Sequence, residues 1–126
     1  MSASGASSYR RILVTTDFSE CALAGVREAA RLATGLDAEL VLAFVVPSEQ
    51  PYMMLGSGLH WDEIVAQHEE KAGVALAEYA AKHLARAGVK TVVASGNAAS
   101  AIARLAEDEG ADLIVIASRG HGRMGR

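Results

Sequence analysis

Apolar and polar positions along the chain form two kinds of segment. Some short runs are apolar throughout and rich in β-branched residues. They predict strands at residues 12–16, 40–46, 90–94 and 112–117. Between these runs, apolar residues recur every three or four positions, as in amphipathic helices. They predict helices over about 19–34, from 61 to near 88, and over 98–109. The predicted order is β-α-β-α-β-α-β.

Residues with special backbone preferences mark the ends of these elements. Ser19 offers a side-chain oxygen to the first turn of the first helix. Gly35 and Gly110 are predicted to end the first and third helices in the left-handed conformation. Pro47 ends the second strand, because its ring fixes φ and removes a hydrogen-bond donor. Residues 47–59 lack any period and predict a loop.

Apolar strands alternating with helices predict an α/β fold: a doubly wound, open parallel sheet covered on both faces. Right-handed crossovers favour strands 1 and 4 as neighbours, with 2 and 3 beyond strand 1, which gives the order 3-2-1-4. Ligands of such sheets bind at the carboxyl ends of the strands where the order reverses. In this chain those ends carry Thr15, Thr16 and Asp17 on strand 1, and Ile116, Ala117, Ser118, Arg119 and Gly120 on strand 4.

Composition narrows the class of protein. The 126 residues are 51% hydrophobic and 5% aromatic, which predicts one aliphatic core, a single domain over 9–126 and a loose tail over 1–8. A net charge of −3 gives the chain no overall attraction to nucleic acid or an anionic membrane. The chain has one cysteine, Cys21, and its apolar runs fall short of the roughly 20 residues that span a bilayer. We therefore expect a cytoplasmic protein.

The last nine residues, 118–126, carry the strongest chemical signal. They contain three glycines and three arginines and no acidic residue, so their charge is +3 and the remainder of the chain carries −6. Glycines let successive backbone N–H groups approach an anion, which favours a di- or triphosphate site. A flexible, solvated basic tail is the alternative.

Asp17 is the acidic counterpart at the end of strand 1. Phosphates would repel it, so a ribose hydroxyl or a bound cation is its expected ligand, and capping of the first helix is an equally weighted alternative. His121 is the one candidate acid or base at the crevice, so we assign no catalytic residues and no metal ligands. Cys21 and His68 are interpreted as packed residues.

Three segments together resemble the universal stress protein family: residues 12–20 (ILVTTDFSE), the turn 96–98, and residues 107–122 (EDEGADLIVIASRGHG). The resemblance extends over 9–126. It implies a three-layer fold like that of the adenine nucleotide alpha hydrolases and a homodimer. Members divide into ATP-binding and nucleotide-free groups. Carried over to this chain, the adenine-side contacts of the ATP-binding group fall on Thr15, Asp17 and Val45. The phosphate loop falls on Ala117, Gly120, His121, Gly122 and Arg123.

The chain departs from the ATP-binding pattern, G-x2-G-x9-G-[ST], in two ways. Ala117 replaces the first glycine, and the second Gly-[ST] pair falls beyond Arg126, together with a fourth helix and a fifth strand. Ala98 also stands where a proline often opens the third helix. We expect either a further C-terminal segment or an unusual dimer to cover the edge formed by strand 4.

The expected function is ATP binding, with or without Mg²⁺, by a nucleotide-dependent stress-response module that signals to a protein partner. Enzymatic activity is expected to be at most slow ATP hydrolysis. The alternative is a nucleotide-free dimeric interaction module of the same family.

Overall fold

Strands and helices alternate along residues 9–48, 56–58, 60–84 and 88–116, which are the residues that the computed structural model describes. The strands are β1 Arg11–Thr15, β2 Glu39–Val46, β3 Val89–Ser95 and β4 Leu113–Ile116. The helices are α1 Glu20–Leu36, α2 Trp61–His83 and α3 Ala98–Glu109. The predicted tail over 1–8 and the predicted glycine-rich loop after β4 lie outside the described residues.

The four strands form one parallel sheet in the order β3-β2-β1-β4. This confirms the predicted α/β fold and the order 3-2-1-4, and the strand ends differ from the predicted ones by one residue. In the central register, Thr15 of β1 lies opposite Ala43 of β2 and Ile116 of β4. The point where the chain reverses its strand order therefore lies between β1 and β4, as expected for a doubly wound sheet.

The second helix, predicted to run to near residue 88, ends at His83, and its N-cap residue His60 makes no side-chain capping bond. The ends of α1 and α3 follow local capping chemistry with one correction. The Oγ of Ser19 accepts a hydrogen bond from the N–H of Ala22 at 3.0 Å, and Gly110 ends α3 with φ 67°, as predicted. Gly35 was predicted to end α1 and does not. The left-handed residue is Asp37, with φ 54°, and the buried Ala38 donates its N–H to Ala33 O at 2.8 Å. Burying an apolar residue just after the cap favours this later stop.

The sheet has one fully covered face and one partly covered face. On the first, α1 and α2 bury Ile12, Val14, Leu40 and Leu42 among other residues. On the second, α3 packs over β2 and β3.

Coverage of the sheet is incomplete at β4, the edge strand that we expected a further segment or a dimer to cover. Ile114 is 40% exposed and Ile116 is 65% exposed. These residues pair with Leu13 and Thr15 of β1, on the face that α3 covers further along the sheet. The α3 helix does not extend across to β4, so the alternating burial of this strand differs from that of β1.

Charged residues join the sheet strands at their amino ends. Arg11 of β1 contacts Glu39 of β2 at 3.2 Å and Glu109 of α3 at 3.3 Å. Lys90 of β3 reaches the same Glu109 carboxylate at 2.9 Å. Asp112 accepts the backbone N–H of Arg11 at 3.1 Å. Ion pairs therefore hold the amino ends of the strands together. The candidate site residues lie at the opposite, carboxyl ends.

Two residues interpreted as packed are exposed: His68 and Cys21. His68 is in line with Ala72 and Leu76, which are buried, but α2 is about 34 Å long while the seven residues of β3 extend only about 23 Å. The first turns of α2 therefore extend beyond the strands. None of the helices in the described ranges is both long and apolar enough to cross a membrane.

Candidate functional site

Three strand ends meet at the carboxyl edge of the sheet. Thr15 lies between Ala43 and Ile116 in the register, and Thr16 continues the pairing by donating its N–H to Ala43 O at 3.0 Å. Asp17 and Val45 each follow two residues after the paired Thr15 and Ala43. The structure therefore brings together the five predicted site residues that it describes: Thr15, Thr16, Asp17, Val45 and Ile116.

The chain passes from β1 to α1 through a tight turn over residues 16–19. The Oγ1 of Thr16 accepts the N–H of Phe18 at 3.0 Å, and Oδ1 of Asp17 accepts the N–H of Ser19 at 2.9 Å. Side-chain oxygens that bond the backbone two residues ahead are typical of such turns. The N-cap residue of α1 is Ser19, so Asp17 does not cap the helix. The Asp17 side chain holds the turn before it and is exposed.

Aromatic rings support the turn from the α2 side. The ring of Phe18 lies 4.9 Å from that of Phe44 and 5.3 Å from that of Tyr79, measured between centroids. Thr16 Oγ1 also donates to Tyr79 Oη at 3.4 Å. Sequence reasoning missed this cluster, because its members come from β2, α2 and the turn, far apart in the chain.

A cleft opens at the same end of the sheet, between the ends of β2 and β3 and the start of α3. Its volume is about 270 Å³, and it is lined by Val45, Pro47, Gly96, Asn97 and Ala98. Val45 was predicted as a site residue and the others were not. The signal that could have identified them is a glycine and a helix cap directly after a strand, since this places backbone amides at the carboxyl edge.

Local bonds fix the walls of this cleft. Gly96 has φ 128° and donates its N–H to Val46 O at 3.0 Å, and Asn97 caps α3 by accepting from Ser100 N at 3.1 Å. The indole N–H of Trp61 donates to Ser48 O at 2.7 Å, which joins the start of α2 to the chain leaving β2. Hydrogen bonds thus hold the backbone of Gly96 and the side chain of Asn97, two of the residues that line the cleft.

The remaining predicted site residues lie outside the described ones: Ala117, Ser118, Arg119, Gly120, His121, Gly122 and Arg123. Within residues 9–48, 56–58, 60–84 and 88–116, no group of three or more His, Cys, Asp or Glu side chains is placed to hold a metal ion. The described edge thus combines a small cleft, hydroxyl groups and one exposed carboxylate. This arrangement can bind a ligand that has an apolar face and hydroxyl groups.

Solved structures of similar shape carry the same family name. UspA from Lactobacillus plantarum is 22% identical, with a TM-score of 0.70 over 94% of this chain and 85% of that chain. A universal stress protein family member from Burkholderia pseudomallei is 27% identical, with a TM-score of 0.65 over 86% and 81%. A universal stress protein in complex with cAMP is 21% identical, with a TM-score of 0.52 over 86% and 71%.

Sequence comparison assigns the family directly. No curated protein sequence matches this chain at a significant level. The sequence profile described as "Universal stress protein family" matches residues 8–126. Because this match spans nearly the whole chain and the sheet has the same fold as solved members, the chain belongs to the universal stress protein family.

Proposed function

We propose that this chain binds an adenine nucleotide, with ATP as the first candidate, at the carboxyl end of the sheet, with the base in the cleft at β2 and β3 and the rest of the ligand along the ends of β1 and β4. The observation that carries the proposal is the cleft lined by Val45, which opens at the same carboxyl end of the sheet as the turn that holds Asp17. Its volume of about 270 Å³ is just below the roughly 300–1,000 Å³ of sites that enclose a drug-sized ligand. It therefore suits one part of a nucleotide, the base, and leaves the ribose and phosphates outside it.

The parts of the nucleotide match different groups along the edge. Val45 and Pro47 offer apolar contact to the faces of a purine, and the polar groups of Asn97 and the nearby backbone suit its edge. The exposed Asp17 carboxylate is a hydrogen-bond acceptor for ribose hydroxyls. The phosphates are assigned to residues 117–123, whose glycines and arginines favour anions on sequence grounds.

Other members support nucleotide binding by analogy. A universal stress protein of this fold is described in complex with cAMP, which is an adenine nucleotide. That complex supports an adenine nucleotide as the ligand of this chain. The position proposed for the nucleotide rests on the residues named above.

We assign the site to binding, with hydrolysis at most a slow event. The hydroxyl groups of Thr15 and Thr16 are buried, and Thr16 is already bonded to Phe18 N–H and Tyr79. The partners of the Thr16 hydroxyl are thus a backbone amide and a phenol, neither of which is a base that would activate it. A bound nucleotide, with or without Mg²⁺, would then act by biasing the state that a protein partner recognises.

The test is calorimetric titration of the whole chain with ATP in the presence of Mg²⁺, with GTP as a base-specificity control. Two alanines in the first turn of α3 provide a matched pair of variants. Ala98 lines the cleft and Ala99 does not, and both are exposed. Ala98→Leu adds bulk to the cleft and is expected to weaken ATP binding about tenfold or more, whereas Ala99→Leu should leave it unchanged.

The proposal fails if the folded wild-type chain gives no binding heat at high micromolar ATP. It also fails if Ala98→Leu and Ala99→Leu bind ATP equally well, because the cleft would then not hold any part of the ligand. Circular dichroism on each variant separates loss of binding from loss of folding.

The second candidate function is a nucleotide-free, dimer-forming interaction module. One observation favours it: Ile114 and Ile116 expose apolar surface on the strand at the β4 side of the sheet. A homodimer that buries these residues should dissociate on Ile116→Lys, as measured by sedimentation velocity without nucleotide. A monomeric wild-type chain would rule out this candidate.

A further inference from the structure

Phe18 has a backbone conformation that bulky residues rarely adopt. Its φ is 68°, in the left-handed region, although it is neither glycine nor asparagine. The residue is also 36% exposed, so it does not belong to the buried core of the sheet. Strained residues of this kind persist only where their surroundings hold them, and they cluster at functional sites.

Contacts on both sides of the backbone hold Phe18 in place. Its N–H donates to Thr16 Oγ1 at 3.0 Å, and its ring contacts the rings of Phe44 and Tyr79. Phe44 belongs to β2 and Tyr79 to α2, so the ring is fixed to two elements other than those that it connects. A glycine would reach the same φ at no steric cost, and what the phenyl ring adds is this anchor.

Phe18 lies between the two residues whose hydrogen bond closes the turn. Asp17 precedes it and Ser19 follows it, and the bond from Ser19 N–H to Asp17 Oδ1, 2.9 Å long, spans it. Relaxing φ of Phe18 to a negative value would rotate the neighbouring peptide groups, and the Asp17 carboxylate would have to turn to keep its bond to the Ser19 N–H. The direction of the Asp17 carboxylate at the carboxyl edge therefore depends on the Phe18 conformation.

We propose that Phe18 is a positioning residue for the nucleotide site: its ring, anchored on Phe44 and Tyr79, keeps the turn in the conformation that presents the Asp17 carboxylate to the ribose. This assignment rests on the proposed nucleotide binding. It makes α2 part of the site through a residue that does not touch the ligand.

The experiment compares substitutions at Phe18 that separate the effect of its ring from the effect of its backbone conformation on ATP binding. Phe18→Ala loses the ring but keeps a Cβ, so the positive φ still costs energy, whereas Phe18→Gly loses the ring and adopts the positive φ without that cost. Phe18→Leu keeps an apolar anchor and is the conservative rescue. His83→Ala is the matched control, because it removes a ring 4.8 Å from Tyr79 in the same cluster without touching the turn. Each is titrated with ATP under conditions where circular dichroism shows a folded protein.

Phe18→Ala is expected to weaken ATP binding about tenfold or more, since a small displacement of a binding group has effects of this size. Phe18→Gly should lose less, and Phe18→Leu and His83→Ala should stay within about twofold of wild type. The deciding measurement is a double-mutant cycle with Asp17→Asn. If Phe18 acts through the Asp17 carboxylate, Phe18→Ala should cost less than about twofold in the Asp17→Asn background.

Ser19 amide exchange, followed by NMR in the free protein, reports on the turn itself. It should be faster in Phe18→Ala than in wild type and unchanged in His83→Ala. The role of Phe18 is overturned if wild type binds ATP and Phe18→Ala binds equally well, or if its loss is the same with and without Asp17→Asn. A wild-type chain that does not bind ATP overturns the proposed function instead, and the assignment of Phe18 to that site with it.

Discussion

The carboxylate of Glu109 joins three elements of the fold, so its charge should contribute measurably to stability. It accepts from Arg11 Nη2 at 3.3 Å and from Lys90 Nζ at 2.9 and 3.1 Å, which links α3 to β1 and β3. Its side chain is only 13% exposed. The perturbation we choose is Glu109→Gln, which keeps the size of the side chain and removes the charge.

The magnitude follows from the burial of each partner. Arg11 is partly buried, and its Nε meets no hydrogen-bond partner among the described residues, so this guanidinium depends on Glu39 and Glu109. Weakening a partly buried hydrogen bond between charged groups costs about 1.5–3 kcal/mol. Lys90 is half exposed and regains water, which limits its share to roughly 0.2–1 kcal/mol. The amide oxygen of Gln recovers part of the loss, so we expect a net destabilisation of about 2 kcal/mol.

The chain contains a matched control pair. Arg31 and Glu28 lie 3.4 Å apart, close to the Arg11–Glu109 separation, but the Glu28 side chain is 57% exposed on the surface of α1. Glu28→Gln should change the free energy of unfolding by less than about 0.5 kcal/mol. Urea unfolding at neutral pH, followed by circular dichroism, measures both variants against wild type. For Glu109→Gln we also expect Tm to fall by roughly 6–10 °C.

A free energy of unfolding for Glu109→Gln within about 0.5 kcal/mol of wild type, or equal to that of Glu28→Gln, would refute this reasoning. It would mean that the desolvation of the Glu109 carboxylate costs as much free energy as its ion pairs with Arg11 and Lys90 contribute. A changed urea m-value would point instead to an altered unfolded state.

Further predictions concern packing and helix ends, each checked by the same urea unfolding. Leu76 of α2 is fully buried, so Leu76→Ala should lower the free energy of unfolding by about 2–5 kcal/mol. Val74 lies on the exposed side of the same helix, and Val74→Ala should lower it by less than about 0.5 kcal/mol. Gly110 and Gly35 both have open space around an added Cβ in the described structure, but only Gly110 has positive φ. Gly110→Ala should therefore destabilise by about 1 kcal/mol and Gly35→Ala stabilise by roughly 0.5–1 kcal/mol. Ser19→Ala should cost about 1 kcal/mol through loss of the bond from Ala22 N–H.

The candidate site could be predicted from sequence only in part. The carboxyl ends of β1 and β4 follow from the strand order, so Thr15, Asp17 and Ile116 could be located without coordinates. Gly96 and Asn97 carry a sequence signal, a glycine and a helix cap directly after a strand, but the cleft that they line could not be predicted, because it depends on how far β3 and α3 advance beside β2. The aromatic support of the turn was also beyond sequence reasoning, since Phe18 and Tyr79 are 61 positions apart.

The sequence by itself determined the order of strands and helices, the neighbouring positions of β1 and β4, and the family. The order of elements and the neighbouring strands depend on hydrophobic periodicity, capping residues and crossover handedness, all of which act over a few neighbouring residues or one connection. The family was indicated by the resemblance of three sequence segments. Only the tertiary structure decided how deeply each apolar face is covered. His68 is exposed because α2 is longer than the strands it covers, and Ile116 is exposed because α3 lies over β2 and β3. The burial of a residue depends on which distant segment of the chain packs against it. Local periodicity carries no information about how far such a segment extends.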